Sequence, residues 1–300
     1  MQRRTDLAAE ARELWQERAG TAGALPGVEE HTETENGFSV ETLRVLDQRG
    51  AEALEKPVGT YVTVSLEGFL SREEGAFARA AGLLAAKLRA LLQLKPGDSV
   101  LVAGLGNDAI TPDNLGPKTV RHTLATRHLV DALPVEFGAF RRVAAMETGV
   151  LGVTGVESAE LVQALVQKVR PGAVIAVDAL ASRRARRILR TVQLCDAGIT
   201  PGSGVGNARA ELSRRTLGVP VVAVGVPTVV DAGTLAADLN NMANIGEFSP
   251  EDFGQWAQSL IVTPREIDRS MDEISRLLGY GINLALHDGL TVADVTALLA

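Results

Sequence analysis

From Lys95 onward the chain repeats one pattern: a short unbroken apolar run, a turn, then a stretch with helical spacing. Ser99-Val-Leu-Val-Ala, Ala173-Val-Ile-Ala-Val-Asp178 and Val219-Pro-Val-Val-Ala-Val-Gly225 are apolar at successive positions. An extended chain points successive side chains to opposite faces, so these runs suit strands buried on both sides, as in a parallel sheet. Residues 116–130, 156–169, 229–242 and 265–286 read as helices, and a short helix at 291–299 closes the chain. Further strands are expected at 140–146 and 189–194. Strand and helix in alternation predict a three-layer α/β body, a mostly parallel sheet with helices on both faces.

The first 95 residues lack that rhythm and read as an α+β extension of the same body. Leu7, Ala11 and Leu14 share one face of a helix over 5–19. A loop is expected over 20–37, extended chain over 38–45, a strand over 61–66 and a long helix over 72–94.

Composition closes several routes. With 37 acidic and 30 basic residues the chain carries a net charge of −7, which excludes a globally basic nucleic-acid coat. One cysteine, Cys195, excludes a disulfide framework and a cysteine-rich zinc site. His31, His122, His128 and His287 form no HxxxH or HExxH spacing. Charges interrupt the first 18 residues, so no export signal is read there, and no apolar run reaches the ~18 residues of a membrane span. The expectation is an intracellular protein with no membrane partner.

In open α/β sheets the working loops lie at the carboxyl ends of strands. Three such ends stand out. Gly104-Leu-Gly106-Asn-Asp-Ala109 fits a dinucleotide fingerprint in letters. Its physics requires a helix opening at the second glycine, and Pro112 delays any helix to about Thr111 or Asp113. A turn leaving the sheet is the other reading. Asp113 and Asp178 each follow a strand toward the same sheet edge. They read either as a helix cap and a loop-orienting carboxylate, or as a carboxylate pair sharing a proton, one activating water while the other polarises a carbonyl. Pro201-Gly-Ser-Gly-Val-Gly-Asn207 lacks the Lys-Ser/Thr of a phosphate loop and reads as a flexible turn or a nest of backbone N–H groups. The five arginines of residues 182–190 read as a solvated helix face or as a receiver of acidic side chains. Ser203 has no histidine partner that the sequence identifies.

Several stretches, in order, resemble one family. They are Arg4-Thr-Asp-Leu-Ala-Ala-Glu-Ala; Gly104-Leu-Gly-Asn with Thr111-Pro-Asp113-Asn-Leu-Gly-Pro; Thr126-Arg-His-Leu; Gly152-Val-Thr-Gly-Val-Glu157; Val174-Ile-Ala-Val-Asp178-Ala-Leu-Ala-Ser-Arg183; Gly198-Ile-Thr-Pro-Gly-Ser-Gly-Val-Gly-Asn207; Pro227-Thr-Val-Val-Asp-Ala232; Val262-Thr-Pro-Arg-Glu-Ile-Asp268; and Gly281-Ile-Asn-Leu-Ala-Leu-His287. The chain resembles the spore germination proteases, atypical aspartic endopeptidases of endospore-forming bacteria.

The resemblance implies a fold similar to the hydrogenase maturation proteases and a cytoplasmic protein of the forespore and spore core. It implies an endopeptidase that starts the degradation of small acid-soluble spore proteins, made as a self-processing zymogen and assembled as a homo-oligomer, tetrameric in the family. The essential aspartates fall on Asp113 and Asp178. Glu157, Ser203, Gly204, Asn207 and Arg183 are expected to bind substrate, and the processing bond lies between Asp6 and Leu7. Residues 1–6 would then be a propeptide and 7–300 a single protease domain, 7–95 its α+β part and 96–300 its α/β core. No cofactor, no metal and no direct nucleic-acid binding are expected. A metal-dependent peptidase or hydrolase related to the hydrogenase maturation proteases is the alternative. Two departures from the family are a leader of only six residues and a short segment after Asp231.

Overall fold

The computed structural model describes residues 5–20, 23, 25–205, 209–243 and 260–300. Its centre is a nine-stranded sheet in the order β1-β2-β3-β7-β8-β6-β4-β5, with β9 added to β8. The strands are β1 (Val28–Glu35), β2 (Phe38–Val45), β3 (Gly59–Ser65), β4 (Val100–Gly104), β5 (Val143–Glu147), β6 (Ala173–Ser182), β7 (Thr191–Cys195), β8 (Val221–Asp231) and β9 (Ile261–Val262). The contacts β5-β4, β4-β6 and β6-β8 are parallel; those of β1, β2, β3, β7 and β9 are antiparallel. The expected α/β body is therefore a parallel centre, β5-β4-β6-β8, with antiparallel β7 and β9 from the same part of the chain beside it, extended past β7 by an antiparallel wing, β1 to β3, that the first part supplies.

Apolar packing covers both faces. On one, helices Ala76–Leu92 and Ile267–Leu286 bury Leu84, Leu88, Ile274 and Leu277 against Val102, Ile175 and Val224. On the other, helix Ser158–Val169 sets Val162 and Val166 against Leu101, Val174 and Ala176. Helix Ala8–Ala19 covers the antiparallel wing on that side through Ala8 and Ala11, which pack with Leu43, Tyr61 and Cys195. Cys195 is a buried free thiol in strand β7.

Three elements differ from the sequence expectation. The loop expected over 20–37 contains β1, whose side chains are almost all at least partly exposed. An edge strand with one hydrogen-bonded neighbour needs no apolar face, so Val-Glu-Glu-His-Thr-Glu-Thr-Glu shows no alternation. Its signal is the turn, Asn36-Gly37, where both residues take positive φ (53° and 85°) as a tight hairpin requires. The helix expected over 116–130 is two, Leu115–Arg121 and Arg127–Ala132. The expected sheet-to-helix switch at 229 comes later, since β8 runs on to Asp231 and the helix begins at Ala232. Among the described residues, no helix is long and apolar enough to cross a membrane.

Candidate active site

Strand β4 ends at Gly104, and the chain folds straight back over its own end. A Cβ on Gly116 would lie 2.3 Å from the Leu105 carbonyl oxygen and 2.6 Å from that of Val177, so only glycine lets helix Leu115–Arg121 press on the ends of β4 and β6. Gly106 takes φ 110°, and a Cβ there would stand 2.0 Å from the Asp113 carbonyl oxygen. The space a pyrophosphate would need over the Gly104–Gly106 turn is thus filled by backbone, and the helix opens well after the second glycine. Those glycines serve the turn and bring Asp113 to the end of the parallel sheet. Thr228 Oγ on β8 donates to the Pro112 carbonyl at 2.7 Å and holds the same segment from the other side.

Asp113 is half-buried and accepts the Asn107 N–H at 2.8 Å. Burial raises its pKa, and the N–H bond opposes that. Asp178 lies on β6 beside Gly225 of β8 and is 5% exposed. Its Oδ1 accepts the following N–H, that of Ala179, at 2.9 Å. Burial pushes its pKa well up, and the charges of Asp113 and Asp6 push it further. Of the two aspartates that the sequence singles out, Asp178 therefore feels the charge of Asp113, and the carboxylate of Asp6 adds to it.

Asp6 reaches this point because the N-terminal segment lies along the end of β6. Its N–H donates to the Ala181 carbonyl at 3.0 Å. Its carboxylate accepts the Ala181 N–H at 2.8 Å and the Ser203 hydroxyl at 2.7 Å. Gly204 lies against that carboxylate with no room for a side chain. The Asp6 carbonyl oxygen accepts from Lys56 Nζ at 3.1 Å and from Gln193 Nε2 at 3.2 Å. On the other side of the Asp6–Leu7 bond, Gln193 Oε1 accepts the Ala8 N–H at 2.8 Å. Leu7 itself is fully buried. Asp6, Lys56, Asp178, Gln193 and Ser203 all line one cleft of about 380 Å³.

Lys56 and Gln193 are the residues that sequence reasoning missed. Lys56 follows helix Gln48–Leu54 in Glu-Lys-Pro, a context with no motif. Its ammonium end is enclosed, and burial drives its pKa down. Gln193 carried a usable signal: an amide inside the buried strand Thr-Val-Gln-Leu-Cys. A buried amide requires partners.

Asp113, Arg183 and Glu157 are not among the residues lining that cleft. Arg183 is 1% exposed. Its guanidinium pairs with Glu17 at 2.8 Å and faces Asp238 at 3.8 Å. The expectation that it receives a substrate's acidic side chain is corrected, because its partners are the chain's own: Glu10, Glu13 and Glu17 of the first helix meet Arg183, Arg184 and Arg187, and the run locks that helix to the end of β6. Glu157 precedes helix Ser158–Val169 and pairs with Arg209 at 3.4 Å; Arg209 N–H in turn bonds the Pro201 carbonyl. That pair braces the 201–205 turn without lining the cleft. Asn207, and most of the short segment after Asp231, lie outside the described residues. Among the described residues, no three His, Cys, Asp or Glu side chains group as a metal site.

Comparison with known proteins bears on the chemistry. A family model described as germination protease matches residues 8–246. A germination protease of Caldanaerobacter subterraneus subsp. tengcongensis is 44% identical over 321 residues, covering 99% of this chain and 98% of that one. One of Clostridium tetani is 38% identical, covering 99% of both. Among solved structures, the [NiFe] hydrogenase maturation protease HycI of Thermococcus kodakarensis is similar over 64% of this chain and 98% of its own, with 16% identity and a TM-score of 0.34, a likeness that carries no argument about the reaction. On the family match and the near full-length relatives, the chain belongs to the germination protease family: it is a peptidase with a role in spore germination.

Proposed function

We propose that the chain is an aspartic endopeptidase in which Asp113 and Asp178 work on one water, made as a zymogen that cuts its own Asp6–Leu7 bond. The observation that carries the reading is the seat of Asp6, with its carboxylate on Ser203 and the Ala181 N–H, its carbonyl on Lys56 and Gln193, and its charge felt by Asp178. On this reading the residues before Leu7 inhibit by occupying the substrate's place rather than by bulk.

Asp178 is the more deeply buried carboxyl, its pKa raised well above the usual carboxylate value by burial and by Asp113, and it acts as the acid. Asp113 has a backbone N–H favouring its charged form, and acts as the base on water. The charge of Asp113 raises the pKa of Asp178 and so opposes joint ionisation, which favours the singly protonated state that the reaction needs.

The substrates in trans are small acid-soluble spore proteins, met in the cytoplasm of the forespore and spore core by a homo-oligomer of this chain. A cleft entered by an extended segment that pairs with a strand end suits disordered chains. The net negative charge repels substrate still held on DNA, so cleavage acts on dissociated chains. The test is to incubate the purified chain with a small acid-soluble spore protein and sequence the new N-termini, its own included. The reading requires new termini after acidic residues and a mature chain beginning at Leu7. An intact spore protein together with an intact N-terminus refutes it.

A further inference from the structure

A buried ammonium is costly unless it is paired. Lys56 has an enclosed ammonium end, and its two hydrogen bonds go to main-chain oxygens, those of Thr5 at 3.0 Å and Asp6 at 3.1 Å. Both oxygens belong to the segment that departs on maturation. A purely structural lysine would hold something that stays. This one holds a peptide lying in the cleft, and it faces open cleft once that peptide leaves.

Gln193 supplies the second half. Its amide brackets the Asp6–Leu7 bond, donating to the carbonyl before it and accepting the Ala8 N–H after it. A strand neighbour would offer a passing chain the same donor and acceptor. One carbonyl, that of Asp6, receives both Lys56 and Gln193, so among the described residues of the segment it is the one with two side-chain donors aimed at it.

We propose that Lys56 and Gln193 are the electrophilic pair of this peptidase, polarising the carbonyl of the bond to be cut and taking the negative charge that develops on its oxygen. The proposal rests on the reading of Asp6–Leu7 as that bond and adds a catalytic group the aspartates do not supply. As water attacks, its oxygen forms the new C–O bond, its proton passes to the ionised carboxylate, and the carbonyl π pair moves onto the oxygen between Lys56 and Gln193. When that pair returns, the C–N bond breaks, and the leaving nitrogen takes the proton of the protonated carboxyl. Lys56 stays an ammonium throughout and acts only by charge and hydrogen bond. Donors positioned this way stabilise the charged intermediate more than the neutral carbonyl, so their effect falls on kcat.

The experiment uses the full chain and a synthetic peptide of residues 1–12. Lys56→Met is expected to lower kcat on the peptide by about 10²–10³-fold, the usual loss for one oxyanion donor, with KM within a fewfold of wild type and self-processing slowed in parallel. Lys56→Cys is expected to be equally slow, and to regain at least a tenth of the wild-type kcat once the cysteine is aminoethylated, which restores an ammonium at nearly the same reach. Rescue of this kind keeps the test valid if Lys56→Met folds poorly. A Lys56→Met kcat within threefold of wild type, or an aminoethylated protein as slow as its precursor, overturns the proposal while leaving the aspartate reading intact. A wild-type chain that cuts neither the peptide nor itself overturns both.

Discussion

Gly204 offers the sharpest probe of how Asp6 is held. A methyl group there would stand 2.2 Å from Asp6 Oδ2, 2.6 Å from its Cγ and 2.7 Å from Ala181 Cβ. The first two contacts belong to the leader and can leave; the third belongs to β6, where the backbone is fixed by hydrogen bonds to β8. Gly204→Ala therefore fills the space the acidic side chain needs. Overpacking of this kind costs about 1–3 kcal/mol, which is about 5- to 150-fold in an equilibrium constant. The assay is hydrolysis of the peptide of residues 1–12 beside self-processing of the full chain, read by mass. KM should rise by that factor and processing should slow with it. A peptide carrying Gly in place of the aspartate should lose far less between wild type and variant. Urea unfolding of the protein beginning at Leu7 separates general destabilisation from the pocket effect. A KM within twofold of wild type would refute the seat described for Asp6.

Two further outcomes follow from burial. Asp178 carries a raised pKa, so the folded protein keeps a proton that the unfolded chain loses near the ordinary carboxylate value of about 3.9. Stability then falls as pH rises from there through the folded pKa. Asp178→Asn removes that loss, so by urea unfolding the variant should be more stable than wild type at pH 7, with the difference shrinking toward pH 4; a variant less stable at both would show that the aspartate is ionised and satisfied. Glu10 is fully buried and accepts from the Thr5 and Ser182 hydroxyls and the N–H groups of Arg183 and Arg184. Glu10→Ala leaves those buried donors without their acceptor, while Arg187 keeps Glu13, and should cost about 3–5 kcal/mol; a loss below about 1 kcal/mol would mean that the helix is held by its apolar contacts alone.

The parallel centre was readable because its strands are buried on both faces, which forces runs such as Val174-Ile-Ala-Val177 into view. Asp113 and Asp178 stood out as carboxylates following apolar runs, but the sequence placed Asp178 at a strand end, whereas β6 continues to Ser182 and buries it. Edge strand β1 was hidden because exposure removes the apolar pattern, although Asn36-Gly37 marked its turn. The arginine run was misread because its partners lie about 170 positions earlier in sequence; the spacing of Glu10, Glu13 and Glu17 on one helix face was the available clue. Lys56 carries no local pattern, and the buried amide of Gln193 signals that it has partners without saying which. Their role comes from a crossing of β3, β7 and the N-terminal segment that only the folded chain creates.

The aspartate pair is tested most directly by the intact mass of the chain after prolonged incubation, for wild type, Asp113→Asn, Asp178→Asn and the double variant. The account predicts that wild type loses residues 1–6, while each single variant keeps them as completely as the double does, since groups acting on one water do not contribute independently. A single variant that matures to Leu7 at the wild-type rate contradicts it.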